Sequence, residues 1–357
     1  MLKYDPATRA ALRAMHARGL TEAQHTGLLE VRARVAAMLK ERTPGTATPS
    51  AGWLDGCAFF SYSFDLAPEA WTRLRLHTYH LTGDNYQTYL FGRPAGLLAK
   101  WATEVGDLPA ALWLSEPAGG IGFAYDGRLI SNDLLRFQHV VGTLHRYGVL
   151  PQLRAQEHAM TLEIGSGYAG LAYHLHRILG RGTCVLVDLP ETLLFAGAYL
   201  TLHRPEGRIY VYRADDATAA LADPRTYDFI LLPNFRLDLL TACRFDLVIS
   251  VETLQGMRPD QIEEYLSLIA RTSQLLYSWD LEENPANPEL DRLSPYLHRY
   301  FNLTRVPPPT LPYKARLRTA VKRWLRHGLA PIGLAQDPRH DSVLPPAEYL
   351  CRPRSAQ

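Results

Sequence analysis

Cysteine is scarce in this sequence. Four occur in 357 residues, Cys57, Cys184, Cys243 and Cys351, and no two stand at metal-ligand spacing. That scatter argues against a disulfide framework or a zinc cluster and fits a reduced compartment. An excess of charge of one sign is missing as well. The 38 Lys and Arg nearly balance 36 Asp and Glu, for a net charge of +2, so no global field favours nucleic acid or an anionic membrane. No apolar run approaches the ~20 residues that span a bilayer. Near the start, Arg9, Arg13 and Arg18 interrupt any candidate apolar core, so no secretion signal is expected. These absences lead us to expect a cytoplasmic protein whose partner is a small molecule, and they leave room for a homodimer. What is present is an ordinary globular composition, 47% hydrophobic and 21% charged, with length for about two domains.

The first third reads mainly helical. Thr21 and Gln24 form a capping box ahead of Leu28, Leu29, Val31, Val35, Ala36 and Leu39 at helical spacing, and the run ends near Pro44-Gly45. From Trp53 to Trp113 the composition turns aromatic, with Phe59, Phe60, Tyr62, Phe64, Trp71, Tyr79, Tyr86, Tyr89 and Phe91. Such a run builds a second core or lines a pocket for sugars or rings. From about Pro151 strands alternate with helices: Met160–Ile164, Thr183–Val187, Ile209–Tyr212, Phe229–Leu232, Phe245–Ile249 and Gln274–Trp279 are uniformly apolar strands. Between them lie helices over Gly170–Leu179, Glu191–His203 and, started by Pro259, Asp260–Arg271. The alternation predicts an α/β fold, a doubly wound, mostly parallel sheet of Rossmann-like type with a mainly helical N-terminal domain. Its divisions are expected at 1–125 (helical, aromatic-rich cap), 126–305 (nucleotide-binding catalytic domain) and 306–357 (C-terminal extension, after Pro307-Pro308-Pro309).

The chemistry centres on Thr161-Leu162-Glu163-Ile164-Gly165-Ser166-Gly167-Tyr168-Ala169-Gly170. Gly165, Gly167 and Gly170 form GxGxxG after a strand and before a helix, the context of a nucleotide site. Two acids narrow the ligand. Glu163 stands two residues before Gly165, where a carboxylate suits a cation better than a pyrophosphate. Asp188 ends the next strand, where it can accept hydrogen bonds from both ribose hydroxyls. A cationic nucleoside, S-adenosylmethionine, fits both.

These residues carry a resemblance. Glu163-Ile-Gly-Ser-Gly-Tyr-Ala-Gly-Leu-Ala-Tyr173, then Val187-Asp-Leu-Pro-Glu-Thr192 and Tyr199-Leu200, resembles the sugar O-methyltransferase family of class I methyltransferases. Asp228–Asn234 and Phe245–Ser250 also fit, and the likeness covers about Gly120 to Trp279. The family pattern after the fourth strand, approximately Asn-x-x-Ser-x-x-Glu-Met, reads here Ser250-Val-Glu252-Thr253-Leu-Gln255-Gly256-Met257. The cofactor half therefore matches better than the catalytic half. The resemblance implies an S-adenosylmethionine-dependent methyltransferase that acts on a hydroxyl of a sugar or glycosylated small molecule.

The expected cofactor contacts are Glu163, Gly165, Gly167, Asp188, Leu189, Ser250 and, for the adenine, Asn234. Asp215-Asp216 is the alternative adenine contact and the only hint of Mg²⁺; adjacent acids are more often a solvated turn, and no metal is expected. A hydroxyl acceptor needs a general base. Glu252 is the first candidate and His174 the second; His77, His80, His139 and His145 cannot be ranked. Asp133, Arg136, Thr253 and Gln255 are the expected acceptor contacts. Lys314–Arg326 reads as a basic amphipathic helix. Three other functions stay open: methylation of nitrogen or carbon, a nicotinamide-dependent oxidoreductase, and a non-catalytic binder that keeps the fold.

Overall fold

The computed structural model describes residues 19–43, 48–307 and 346–354. The basic helix expected at Lys314–Arg326 and the break at Pro44-Gly45 lie outside them. The first element, α1 (Glu22–Glu41), starts on the expected capping box: Thr21 accepts from Gln24 N–H, and Gln24 accepts from Thr21 N–H at 3.0 Å. Leu28, Val31, Val35 and Met38 form its buried stripe. Next come α2 (Ala51–Phe59) and α3 (Ala95–Val105), joined by two 3₁₀ segments and two short α-helical turns, Tyr79–Thr82 and Gln87–Phe91, so the aromatic stretch is also mostly helical. A small hairpin, Phe123–Tyr125 with Arg128–Ile130, precedes α4 (Asn132–Arg146), which Ser131 caps by accepting from Leu134 N–H.

The strand–helix alternation then begins with β1 (Met160–Ile164), α5 (Gly170–Leu179), β2 (Thr183–Asp188), α6 (Pro190–His203), β3 (Ile209–Val211) and β4 (Phe229–Pro233). It continues through β5 (Leu247–Val251), α7 (Pro259–Thr272), β6 (Leu276–Asp280), β7 (Phe301–Arg305) and β8 (Ala347–Pro353). One sheet holds all eight strands in the order β3-β4-β2-β1-β5-β6-β8-β7. The first six are parallel, and β8 runs antiparallel to both neighbours. The expected doubly wound, mostly parallel sheet is present, with helical structure ahead of it. Strand β5 runs two residues later than the sequence suggested, because Phe245 makes only an isolated bridge to Ser273. The sequence reading had no strand at β7 or β8, so residues 347–353 of the expected extension belong to the sheet.

The strands read as unbroken apolar runs because both faces are covered. On one face Leu162, Ile164 and Leu231 share a core with α1 and α6; on the other, Leu247 and Ile249 pack with α3, α4 and α5. Helix α1 sits unusually close to α6. A Cβ on Gly197 would lie 2.5 Å from Val31 Cγ1, and one on Gly27 would lie 2.8 Å from Thr201 Cγ2. The bidentate pair of Arg42 with Glu191 (2.9 and 3.0 Å) ties the end of α1 to the start of α6. No helix among the described residues is long and apolar enough to cross a membrane.

Candidate functional site

From β1 the chain builds outward through β2, then returns to place β5 on the other side of β1. The strand order reverses there, and a crevice opens beyond the C-terminal strand ends, the general ligand position of such sheets. The glycine loop forms its floor. Gly165 (φ +70°) turns the chain, and a Cβ there would lie 2.1 Å from Thr253 Oγ1. Its glycine is therefore dictated by the loop after β5 as well as by the turn. Gly167 (φ +54°) has open space above it and donates its N–H to Asp188 Oδ2 at 2.9 Å. Gly170 serves packing, since a Cβ would meet Phe137 at 2.5 Å.

Two carboxylates line this cleft, and both hold their protons more tightly than usual. Glu163 is buried; desolvation, and then the nearby Asp188 charge, push its pKa up to about 8. Its Oε2 meets no hydrogen-bond partner. Asp188 is pushed up to about 7 by burial, against the opposing effect of N–H bonds from Leu189 (2.7 Å) and Gly167. Ser166 Oγ, from a third lining residue, is also buried without a partner. Buried polar groups are ordinarily satisfied, so the floor presents acceptors that a polar, cationic ligand would satisfy.

Leu189 and Asn234 line the same cleft. Asn234 follows β4, whose Pro233 pairs with Asp188, so it stands one strand outward at the same level. The alternative, Asp215-Asp216, lies away from the cleft: Asp216 pairs with Arg213 and accepts from Tyr210 Oη at 2.6 Å.

On the β5 side the expectations divide. Thr253 and Glu252 line the cleft, and Ser250 and Gln255 do not. Ser250 is fully buried and donates to Asp280 Oδ2 at 3.3 Å. Gln255 accepts from Leu281 N–H, and its carbonyl accepts from Asn284 and Asn287. Both are thus taken up by structure. The organiser is Asp280, which the sequence reading missed. Its buried carboxylate also accepts from Thr253 N–H (2.7 Å), Gln255 N–H (3.4 Å) and Ser278 Oγ (2.8 Å). Burial raises its pKa to about 6 against these bonds. An acid closing an apolar strand, as Asp188 closes β2, was the available signal.

Glu252 has φ +53°, a strained value for a side chain with a Cβ. Its carboxylate meets Arg136, which also pairs with Asp133 and donates to Thr82 O at 3.0 Å. Arg136 lines the cleft; Asp133 does not. Asp133 is fully buried behind it, 2.8 Å from Arg75. The buried Arg75 guanidinium lies 3.3 Å from Asp84, 3.4 Å from Glu116 and 4.4 Å from the centroid of the Tyr168 ring. Burial pushes Glu116 up to about 7 despite Arg75. Asp133 thus sits between Arg75 and Arg136, behind the cleft wall.

His174 is also placed elsewhere. It is buried on α5 outside the cleft, and desolvation, helped by the Arg177 charge, lowers its pKa to about 3. Phe137, a lining residue, stands against its ring at 6.2 Å.

The remaining wall comes from the N-terminal region. Trp53 packs on Gly256, where a Cβ would lie 2.9 Å from the indole Nε1. Gly256 is the position at which the sequence departs from the family's Glu, and the indole takes that space. Ser50 Oγ donates to Gly256 O at 2.7 Å, and Arg258 and Gln261 both donate to Thr48 O. Leu81 and Thr82 complete the rim.

No protein-family model matches the sequence, and no curated protein matches it. Among solved structures, the methyltransferase domain of bacterial CtHen1 is 14% identical, over 61% of this chain and 97% of that one, with a TM-score of 0.31. An O-methyltransferase family protein from Burkholderia thailandensis is 13% identical over 62% and 60%, with a TM-score of 0.31. WbdD, a bifunctional kinase-methyltransferase, is 13% identical over 71% of this chain and 46% of its own, with a TM-score of 0.37. The match thus spans about half of WbdD. Likeness at this level decides nothing about chemistry, which the groups in the cleft must carry themselves.

Proposed function

We propose that the protein is an S-adenosylmethionine-dependent methyltransferase that methylates a hydroxyl of a sugar or glycosylated small molecule. The observation that carries the first half is Glu163: a buried carboxylate with an unpartnered oxygen in the floor of a switch-point cleft. A ligand bearing an ammonium and a sulfonium satisfies the orphan oxygen and favours its ionised form, whereas an anionic pyrophosphate does neither. Asp188 then takes the ribose hydroxyls, and Asn234 and Leu189 flank the adenine.

S-adenosylmethionine supplies a methyl carbon already activated by its sulfonium leaving group. This chain must align an acceptor with that bond, exclude water and accept a proton. Arg136 and Thr82 form one side of the rim, and Glu252 and Thr253 the other. Glu252 is the proposed general base, oriented by Arg136, on a loop fixed by Asp280. A hydroxyl must lose its proton as it attacks, and the carboxylate at the rim suits that need.

Calorimetry with S-adenosylmethionine and with NADH tests the reading. Binding of the first alone is expected; binding of NADH alone would replace the methyltransferase with an oxidoreductase.

A further inference from the structure

S-adenosylmethionine is more than a cation. Its α-carbon carries a carboxylate beside the ammonium, so the end of the ligand that satisfies Glu163 also brings a negative charge into the cleft. The floor offers that charge little. Glu163 and Asp188 are acids, and the Gly167 N–H is already given to Asp188 Oδ2. A carboxylate withdrawn from water without a partner is costly. Among the described residues that line the cleft, Arg136 is the one with a cationic side chain.

Its place matches the amino-acid end of the ligand. Asn234, Asp188, Gly165 and Glu252 follow or end neighbouring strands in the order β4, β2, β1 and β5. The cleft therefore crosses three strand spacings, about 14 Å. With the adenine beside Asn234 and the ribose on Asp188, the amino-acid end reaches β1 and β5. Arg136 stands there. It pairs with Glu252, and the adjacent Thr253 lies so close to Gly165 that a Cβ there would come within 2.1 Å of Oγ1. Phe137, the next residue on α4, abuts the far end of the glycine loop: a Cβ on Gly170 would lie 2.5 Å from its ring, whose centroid is 6.1 Å from that of Tyr168.

The guanidinium also has a donor to spare. Its Nη2 donates to Asp133 Oδ1 and to Thr82 O, and its Nη1 donates to Glu252 Oε2. The Nε–H makes no hydrogen bond among the described residues. Arg136 keeps 24% of its side chain exposed, whereas Asp133 behind it keeps none. Because Arg136 lines the cleft, its uncovered part lies on the cleft side.

We propose that Arg136 binds the α-carboxylate of S-adenosylmethionine while the ammonium on the same carbon turns to Glu163. The proposal rests on the methyltransferase reading. It makes Arg136, besides its pairing with Glu252, the residue that selects cofactor with an intact amino-acid end.

The test uses the full chain and two nucleosides. S-adenosylmethionine has the carboxylate; decarboxylated S-adenosylmethionine keeps the ammonium, sulfonium, ribose and adenine and lacks only that group. Calorimetry on wild type should show the first bound about tenfold more tightly or better, the scale of a charge-assisted hydrogen bond. Arg136→Met should erase or reverse that preference. Arg136→Lys, which keeps the charge without the planar fork, should retain part of it. The readout is the ratio of the two affinities within each protein, because general damage to the cleft weakens both ligands alike. Should Arg136→Met fail to fold, Arg136→Gln is measured in its place, with the same expected result. Binding of neither nucleoside to wild type would remove the methyltransferase reading, and this assignment with it. Equal binding of the two by wild type, or a preference as strong in the Met or Gln variant as in wild type, would leave that reading in place and overturn the role of Arg136.

Discussion

The two sides of the cleft are built on opposite principles. On the β1–β2 side, Glu163 is buried and Asp188 half-buried, both with raised pKa values, and Glu163 keeps an unpartnered oxygen. On the β5–β6 side, the acids are fully buried yet satisfied from within: Asp280 accepts four hydrogen bonds, and Asp133 is held by Arg75, Arg136 and Thr82. An incompletely satisfied acid waits for a ligand's charge; a saturated one fixes geometry. On the proposed function, the first side is the cofactor half and the second a frame that holds Glu252, Thr253 and Arg136 at the rim.

Substitutions can break that contrast. The largest effect is expected for Glu252→Gln: S-adenosylmethionine affinity is retained, while turnover falls by about 100-fold or more, the typical contribution of a general base. Steady-state kinetics beside calorimetry checks this, and normal turnover removes Glu252 as base. Asp188→Ala should weaken S-adenosylmethionine binding by about 100-fold, because hydrogen bonds to the ribose and the anchor on Gly167 are lost together. Asp280→Asn belongs to the frame. An amide supplies one acceptor oxygen where the carboxylate supplied two, so kcat should drop about tenfold with cofactor affinity nearly unchanged. Equal losses in kcat and cofactor affinity would erase the distinction between the two sides.

The smallest effect concerns stability. The folded-state pKa of Glu163, about 8, lies above its ordinary 4.5. The folded protein therefore keeps a proton that the unfolded chain releases, and stability declines as pH rises through that interval. Glu163→Gln avoids the decline. Its Tm relative to wild type should be higher at about pH 9 than at about pH 5, as thermal melts at the two pH values would show.

The glycine-loop side of the cleft was legible in the sequence because its signals are local. A strand, a glycine loop and an acid closing the next strand are contiguous, and backbone constraints at Gly165 and Gly167 leave little choice of residue. Helix and strand boundaries followed from periodicity, most closely at β1 and α5. Strands β7 and β8 were missed because both lie at one end of the sheet, and they pair across a long sequence gap. The β5–β6 side was less legible because its contacts are distant in sequence. Nothing near Ser250 or Gln255 announces that Asp280 and the 281–287 turn absorb them, and nothing near Asp133 announces Arg75. The departure at Gly256 became readable only with Trp53 beside it. A helix-borne histidine such as His174 looks the same in sequence whether it faces a cleft or a core.

On the proposed function, Glu163 receives a cation. Calorimetry of S-adenosylmethionine binding at about pH 7, repeated in buffers of different ionisation enthalpy, counts the protons exchanged on binding. A cationic ligand must drive the proton off Glu163, so wild type should release close to one proton more than Glu163→Gln, and the variant should bind about tenfold more weakly. Identical proton counts and equal affinity in the two proteins would contradict it.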